Sequence, residues 1–135
     1  MTPEVRYSVR LEAELSPSED PEKVMSAMVG IIGPGPFTVS KRGGGIRIDA
    51  DSPGTLDRVH DQLRDRRVRG AARRRLLAGR HGSESTVMVN RQAASAGVVA
   101  ICDSEDESPL GPIYLTVRSD DFDRLLAWLT DYPAG

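Results

Sequence analysis

The sequence predicts an α+β fold, a mostly antiparallel mixed sheet with helices on one face. Three observations lead there. Apolar and polar residues alternate at period two over residues 5–15, 37–40, 46–50 and 113–117, which marks strands buried on one side only. Apolar residues recur at helical spacing after Asp20, Pro53 and Ser119, which marks amphipathic helices. Short turn clusters separate these segments, with no linker, repeat or low-complexity tract. Laying the helices over one face of the sheet buries every apolar stripe at once.

In chain order, Val5, Tyr7, Val9, Leu11, Ala13 and Leu15 face one way, and Arg6, Ser8, Arg10, Glu12 and Glu14 the other. Ser16–Pro21 stops this strand. Ser18 or Asp20 can cap the next helix, whose first turn tolerates Pro21 because its missing N–H has no partner there. Val24, Met25, Met28 and Val29 give the buried stripe, and Gly30 and Gly33 end it. Phe37 and Val39, then Ile46, Ile48 and Ala50, form two short alternating runs across Lys41-Arg42-Gly43-Gly44-Gly45, a hairpin pattern. Ser52-Pro53 reads as a cap and first helical residue. Residues 53–80 then read as two helices or one bent helix, with Gly70 as the weak point. A short strand is expected over 86–89, and a helical turn or loop over 90–97. An apolar strand central in the sheet is expected over 98–102, then a polar loop to Gly111 and a last strand over 113–117. Ser119 would cap a final helix carrying Phe122, Leu125, Leu126 and Leu129.

The chain has 135 residues, 39% hydrophobic and 28% charged. One α+β domain spanning 1–135 is expected, large enough for a core without covalent staples. No apolar run approaches the roughly 18 residues of a membrane span. No charged-then-apolar leader opens the sequence. The single cysteine, Cys102, makes no disulfide framework or cysteine-based zinc site. The expected compartment is the cytoplasm.

Net charge is −2, but it is unevenly spread. Between Gln62 and His81 stand Arg64, Arg66, Arg67, Arg69, Arg73, Arg74, Arg75 and Arg80 against one acid, Asp65. On a continuous helix, Arg66, Arg69, Arg73 and Arg80 would share a stripe, and guanidinium forks on such a stripe suit phosphate oxygens. The bland alternative is a solvated face balanced by acids elsewhere. Lys41 and Arg42, at a Gly-rich hairpin tip, could follow a nucleic-acid backbone or simply decorate a turn. Asn90, Arg91 and Gln92 could read bases or sugars; otherwise Asn90 bonds its own backbone at a strand end.

Other chemistry has little footing. No phosphate-cradling GxxxxGK[ST], HExxH or GxSxG is present. His60 and His81 are not spaced as a metal pair. Asp103, Glu105, Asp106 and Glu107 lack the ligand order of a calcium loop. Neither cofactor nor metal is called for. Only Tyr114 places an aromatic on the polar face of a strand, so no base-stacking platform is expected.

Four segments carry a resemblance: Ser16–Val24 (SPSEDPEKV), Ala71–Arg73 (AAR), Asn90–Ala94 (NRQAA) and Glu107–Ile113 (ESPLGPI). In this order and spacing they resemble a family of small archaeal proteins without assigned activity. That family is labelled RNA-binding because its fold resembles a ribosomal protein that binds 5S rRNA, and a related group is described as exosome-associated. The resemblance implies that ribosomal-protein-like fold and an archaeal cytoplasmic setting. It transfers no catalytic residue, and it adds weight to Arg73 and to the Asn90–Gln92 segment as surface contacts. Arg74-Arg75 and Gly43–Gly45 depart from the family pattern.

The function expected is therefore non-enzymatic RNA binding. Arg66, Arg69, Arg73, Arg74 and Arg80 would hold phosphates, Lys41 and Arg42 would assist, and Asn90, Arg91 and Gln92 would add finer contacts. The alternative is a protein-interaction subunit of an RNA-processing or translation-related assembly, with the arginines docking on an acidic partner or on a second copy as a homodimer. No membrane partner is expected. A small enzyme acting on a phosphorylated ligand would need a suitable cavity near Arg91 or the Gly43–Gly45 loop.

Overall fold

The alternation read at residues 5–15 becomes β1 (Tyr7–Glu14), whose residues are alternately buried and exposed along its length. The computed structural model describes residues 5–65 and 68–130, with the side chains of residues 42 and 65 outside that description. After β1 come α1 (Pro21–Val29), β2 (Thr38–Arg42), β3 (Gly45–Ala50), α2 (Asp57–Asp65) and α3 (Arg69–Ala78). Then follow β4 (Arg80–His81), β5 (Glu84–Val89), α4 (Arg91–Ser95), β6 (Ile101–Cys102), a single 3-10 turn (Glu105–Glu107), β7 (Ile113–Ser119) and α5 (Phe122–Leu129). The fold class is α+β, as the sequence predicts.

The strands form one sheet in the order β2-β3-β1-β7-β5-β4, and β6 pairs with the other end of β5. Every pairing among the described strands is antiparallel. Leu11 lies at the centre, opposite Ile48 on β3 and Leu115 on β7. The inward residues of the strands join Val24 and Met28 of α1, Val59 and Leu63 of α2, Leu76 of α3 and Leu125 and Leu126 of α5 in one core. The opposite face of the sheet is mostly polar.

Local chemistry explains the boundaries. Asp20 caps α1, its carboxylate accepting the Glu22 N–H at 3.0 Å with Pro21 in the first turn. The β2–β3 turn needs a left-handed backbone at both central positions, and Gly43 (φ 50°) and Gly44 (φ 89°) supply it. Asn90 caps α4 through the Ala93 N–H at 2.8 Å. Asp121, not Ser119, caps α5 through the Arg124 N–H at 3.2 Å.

Several expectations need correction. Helix α2 begins at Asp57, because residues 52–56 form a turn in which Ser52 Oγ meets Thr55 Oγ1 at 3.0 Å. Residues 98–102 contribute only two residues to the sheet, at its edge rather than its centre. Phe37 is 42% exposed instead of buried, because β2 is an edge strand. Among the described residues no helix is long and apolar enough to cross a membrane.

Leu11 is fully buried and Leu77 is 45% exposed, which sets a clear contrast. Leu11→Ala should lose about 3 kcal/mol in urea unfolding through transfer and cavity terms. Leu77→Ala should stay within about 0.5 kcal/mol of the parent.

Candidate binding surfaces

The arginine stripe does not form. Helix α2 ends at Asp65 and α3 starts at Arg69, while Gly79 closes α3 and sends Arg80 into β4. Arg80 is then held by Asp123 at 2.6 Å and by the Gly82 carbonyl at 2.9 Å, with its guanidinium 4.7 Å from the Phe122 ring centre. Arg69 and Arg73 are half-buried, and both are already engaged. Arg74 is exposed, with no ion pair or hydrogen bond among the described residues. Arg66 lies outside the described residues, as does the side chain of Arg42.

Nor does the hairpin join the helix. Lys41 is exposed on β2 at one edge of the sheet, while α3 packs against β5 four strand positions away. At normal strand spacing that is roughly 19 Å. Lys41 is therefore remote from the arginines of α3.

Arg91 is the clearest correction. Its side chain is only 4% exposed and cannot act as a surface contact. It donates to both carboxylate oxygens of Glu19, at 2.7 and 2.8 Å, and to the Pro112 carbonyl at 3.3 Å. Its backbone N–H donates to Ser108 Oγ at 3.1 Å, and that hydroxyl donates to the Gly111 carbonyl at 2.8 Å. Asn90 Nδ2 adds a bond to the Glu107 carbonyl at 2.8 Å. Glu19 also accepts the Ser16 N–H at 2.9 Å. Three of the four segments that carry the family resemblance thus meet in one buried knot. Of the Asn90–Gln92 segment only Gln92 is exposed. The Ser16-x-x-Glu19 spacing hints at the local Ser16–Glu19 bond, but nothing in the sequence pairs Glu19 with Arg91.

Burial alone would raise the Glu19 carboxyl. The Ser16 N–H and the Arg91 guanidinium outweigh it and hold the group below its ordinary value.

The open face of the sheet offers no uniform charge. Arg10 and Arg47 both close on Asp49, at 2.9 and 3.2 Å, and Thr86 meets Thr116 at 2.9 Å. Tyr114 is the aromatic there, and its hydroxyl donates to Glu105 at 2.6 Å. That bond pushes the phenol up to about 12. Cys102 shares this face with Met88 and Tyr114 by register and is covered by the 103–107 loop. Burial, together with Glu107, pushes its thiol up to about 11, so it is a poor nucleophile. The depression beside Gly43–Gly45, about 730 Å³, is walled by Glu12 and Glu14 as well as Arg47. A second of about 320 Å³ lies over Glu19 and Arg91, with Lys23, Gln92 and Leu110 around it. In the first the carboxylates oppose a phosphate; in the second the guanidinium is already matched by Glu19.

One predicted cation does sit beside an apolar hollow. Between α3 and β6 lies a notch of about 150 Å³ lined by Leu63, Val68, Ala72, Val99 and Ile101. Arg74 and Arg75 stand along it, with Arg75 tied to Asp103 at 3.6 Å. The apolar wall was hidden in the sequence because Val99 and Ile101 read as central-strand residues.

Two outcomes follow from this geometry. Glu19→Gln leaves the Arg91 charge buried without its counter-charge and should lower stability at pH 7 by about 3 kcal/mol. Because Glu19 titrates lower folded than unfolded, the contribution is complete above an ordinary carboxylate pKa of about 4.3 and is lost as pH falls through the folded value. Urea unfolding of the parent should therefore weaken more steeply below that pH than unfolding of Glu19→Gln. Second, iodoacetamide at pH 8 should alkylate Cys102 about two orders of magnitude more slowly in the folded protein than in urea.

No family model matches the chain. Individual proteins do. A UPF0201 protein of Metallosphaera sedula is 39% identical over 121 residues, covering 87% of this chain and 82% of that one. A UPF0201 protein of Thermococcus kodakarensis is 39% identical over 128 residues, covering 93% and 91%. Among solved structures, the crystal structure of an uncharacterized UPF0201 protein superposes with a TM-score of 0.74 at 30% identity, covering 88% of this chain and 89% of that one. Identity at this level over nearly the whole of both chains, with a shared fold, makes this chain a member of the archaeal UPF0201 family.

Proposed function

We propose that this protein is a non-enzymatic docking module whose partner is another protein. The observation that carries this reading is the α3–β6 notch. A small apolar hollow and an unpaired guanidinium at its rim form the layout of an interface anchor, with an apolar pocket and a charged border. The matching partner is a segment that inserts an aliphatic or aromatic side chain and carries acidic residues next to it. Arg74 supplies selectivity for the acid, and the notch supplies the affinity.

RNA binding is the less supported reading. Among the described residues six arginines (Arg10, Arg47, Arg75, Arg80, Arg91 and Arg124) already face carboxylates. A cation committed to a carboxylate releases few phosphate counterions, the main source of nucleic-acid affinity.

Panning a random peptide library on the intact protein tests this. Enriched peptides should combine an apolar residue with neighbouring acids, and Arg74→Glu should weaken them about tenfold or more at unchanged circular dichroism. Enrichment without that pattern, or without sensitivity to Arg74→Glu, would overturn the proposal. So would tight binding to generic RNA with a log K against log[salt] slope of roughly −3 to −4, since that slope reports about four phosphate contacts.

A further inference from the structure

A second concavity, away from α3, has a different chemistry. It lies where β1 begins, β7 ends and β3 runs into the turn before α2, and its volume is about 600 Å³. Val5, Arg6, Tyr7, Ser8, Asp51 and Pro53 line one part of it, and Arg118, Ser119 and Asp120 the other. That volume falls within the range of small-molecule sites.

Its floor is firmly built. Tyr7 donates its hydroxyl proton to the Pro53 carbonyl at 2.9 Å and accepts the Leu56 N–H at 2.9 Å. Ser119 Oγ donates to the Arg6 carbonyl at 2.7 Å and accepts the Asp121 N–H at 3.2 Å. These bonds tie the start of β1 to the end of β7 and to the turn before α2, so the rim residues beside them project from fixed backbone.

The rim is charged and unspent. Arg6, Asp51, Arg118 and Asp120 are all exposed. None of them forms an ion pair or side-chain hydrogen bond among the described residues. Elsewhere on the same sheet face, opposite charges do close: Arg10 and Arg47 both hold Asp49. Around the cleft two cations and two anions line one volume and leave it open.

From this we infer that the cleft is a binding site for a small zwitterion, an amino acid or short peptide. A guanidinium fork from Arg6 or Arg118 takes the carboxylate two oxygens at a time. Asp51 or Asp120 takes the ammonium, and the Ser8 hydroxyl lies on the same wall. A plain anion would meet the two aspartates, and a plain cation the two arginines, so a ligand with one charge of each sign fits the rim best. This site shares no residue with the α3 notch, and either can fail without the other.

The test is a thermal-shift screen of the full chain against the common amino acids and a set of dipeptides, with inorganic phosphate and spermidine as single-sign probes. Hits are then titrated calorimetrically. The inference expects saturable binding of at least one zwitterion, weakened about tenfold or more by Arg118→Ala and by Asp120→Asn, and unchanged by Arg74→Glu. All three positions are exposed, and circular dichroism checks that the variants fold. Absence of zwitterion binding overturns the inference, as does phosphate binding of equal strength that Asp120→Asn leaves untouched.

Discussion

The contact between Glu19 and Arg91 is the constraint on which much of this architecture rests. Both side chains are almost wholly removed from water, 6% and 4% exposed. A buried charge without its counter-charge is strongly unfavourable, so the two segments have few alternatives to meeting. Their meeting fixes the turn between β1 and α1 against the start of α4. The Pro112 carbonyl and Ser108 hydroxyl then draw in the loop ahead of β7. Segments 72 and 21 residues apart in sequence are thereby set in register. The role is specification more than net stability, since a well-packed apolar pair of the same volume could be as stable.

The same electrostatics bears on the arginine-rich segment. Charge density along a chain becomes charge density on a surface only if one element presents it. Here the segment is divided among α2, α3 and β4, which point their side chains differently. Acids distant in sequence then meet its cations, Asp103 at Arg75 and Asp123 at Arg80. These two pairs offset part of the charge that the segment concentrates in sequence.

Much of the fold was legible because period-two and period-3.6 patterns report directly on which face is buried. β1 and β7, as well as the capped α1, belong to this group. So does the β2–β3 hairpin, whose two glycines meet a left-handed requirement that few other residues satisfy. What was illegible depended on neighbours. Val98–Cys102 is apolar enough for a central strand. Yet only Ile101 and Cys102 pair, because β5 already has β7 on one side and shares its other side between β4 and β6. Arg91 looked like a surface reader because its partner, Glu19, lies in another segment. For the candidate sites, Arg74 could be picked out by its charge. The notch beside it could not, since its wall comes from three separated elements. The cleft at Arg6 and Arg118 was missed because its residues read one by one as the wet face of ordinary strands.

The sheet edges bear on which kind of recognition the molecule favours. An open edge invites another chain to add a strand, unless it is short, broken or charged. One edge here is divided into two strands of two residues each, β4 and β6, on the same flank of β5. The other, β2, is five residues long, carries Lys41 and follows Pro34 and Pro36. Neither presents a long flat ladder, so backbone pairing is a weak basis for a specific partner. Recognition then falls to side chains held on rigid elements, and two such sets stand out. One is an apolar notch with a cation at its rim; the other is a cleft of unpaired charges of both signs. The first suits burial of a partner's side chain. The second suits a small polar ligand, because a large apolar surface would leave all four of its charges desolvated and unmatched.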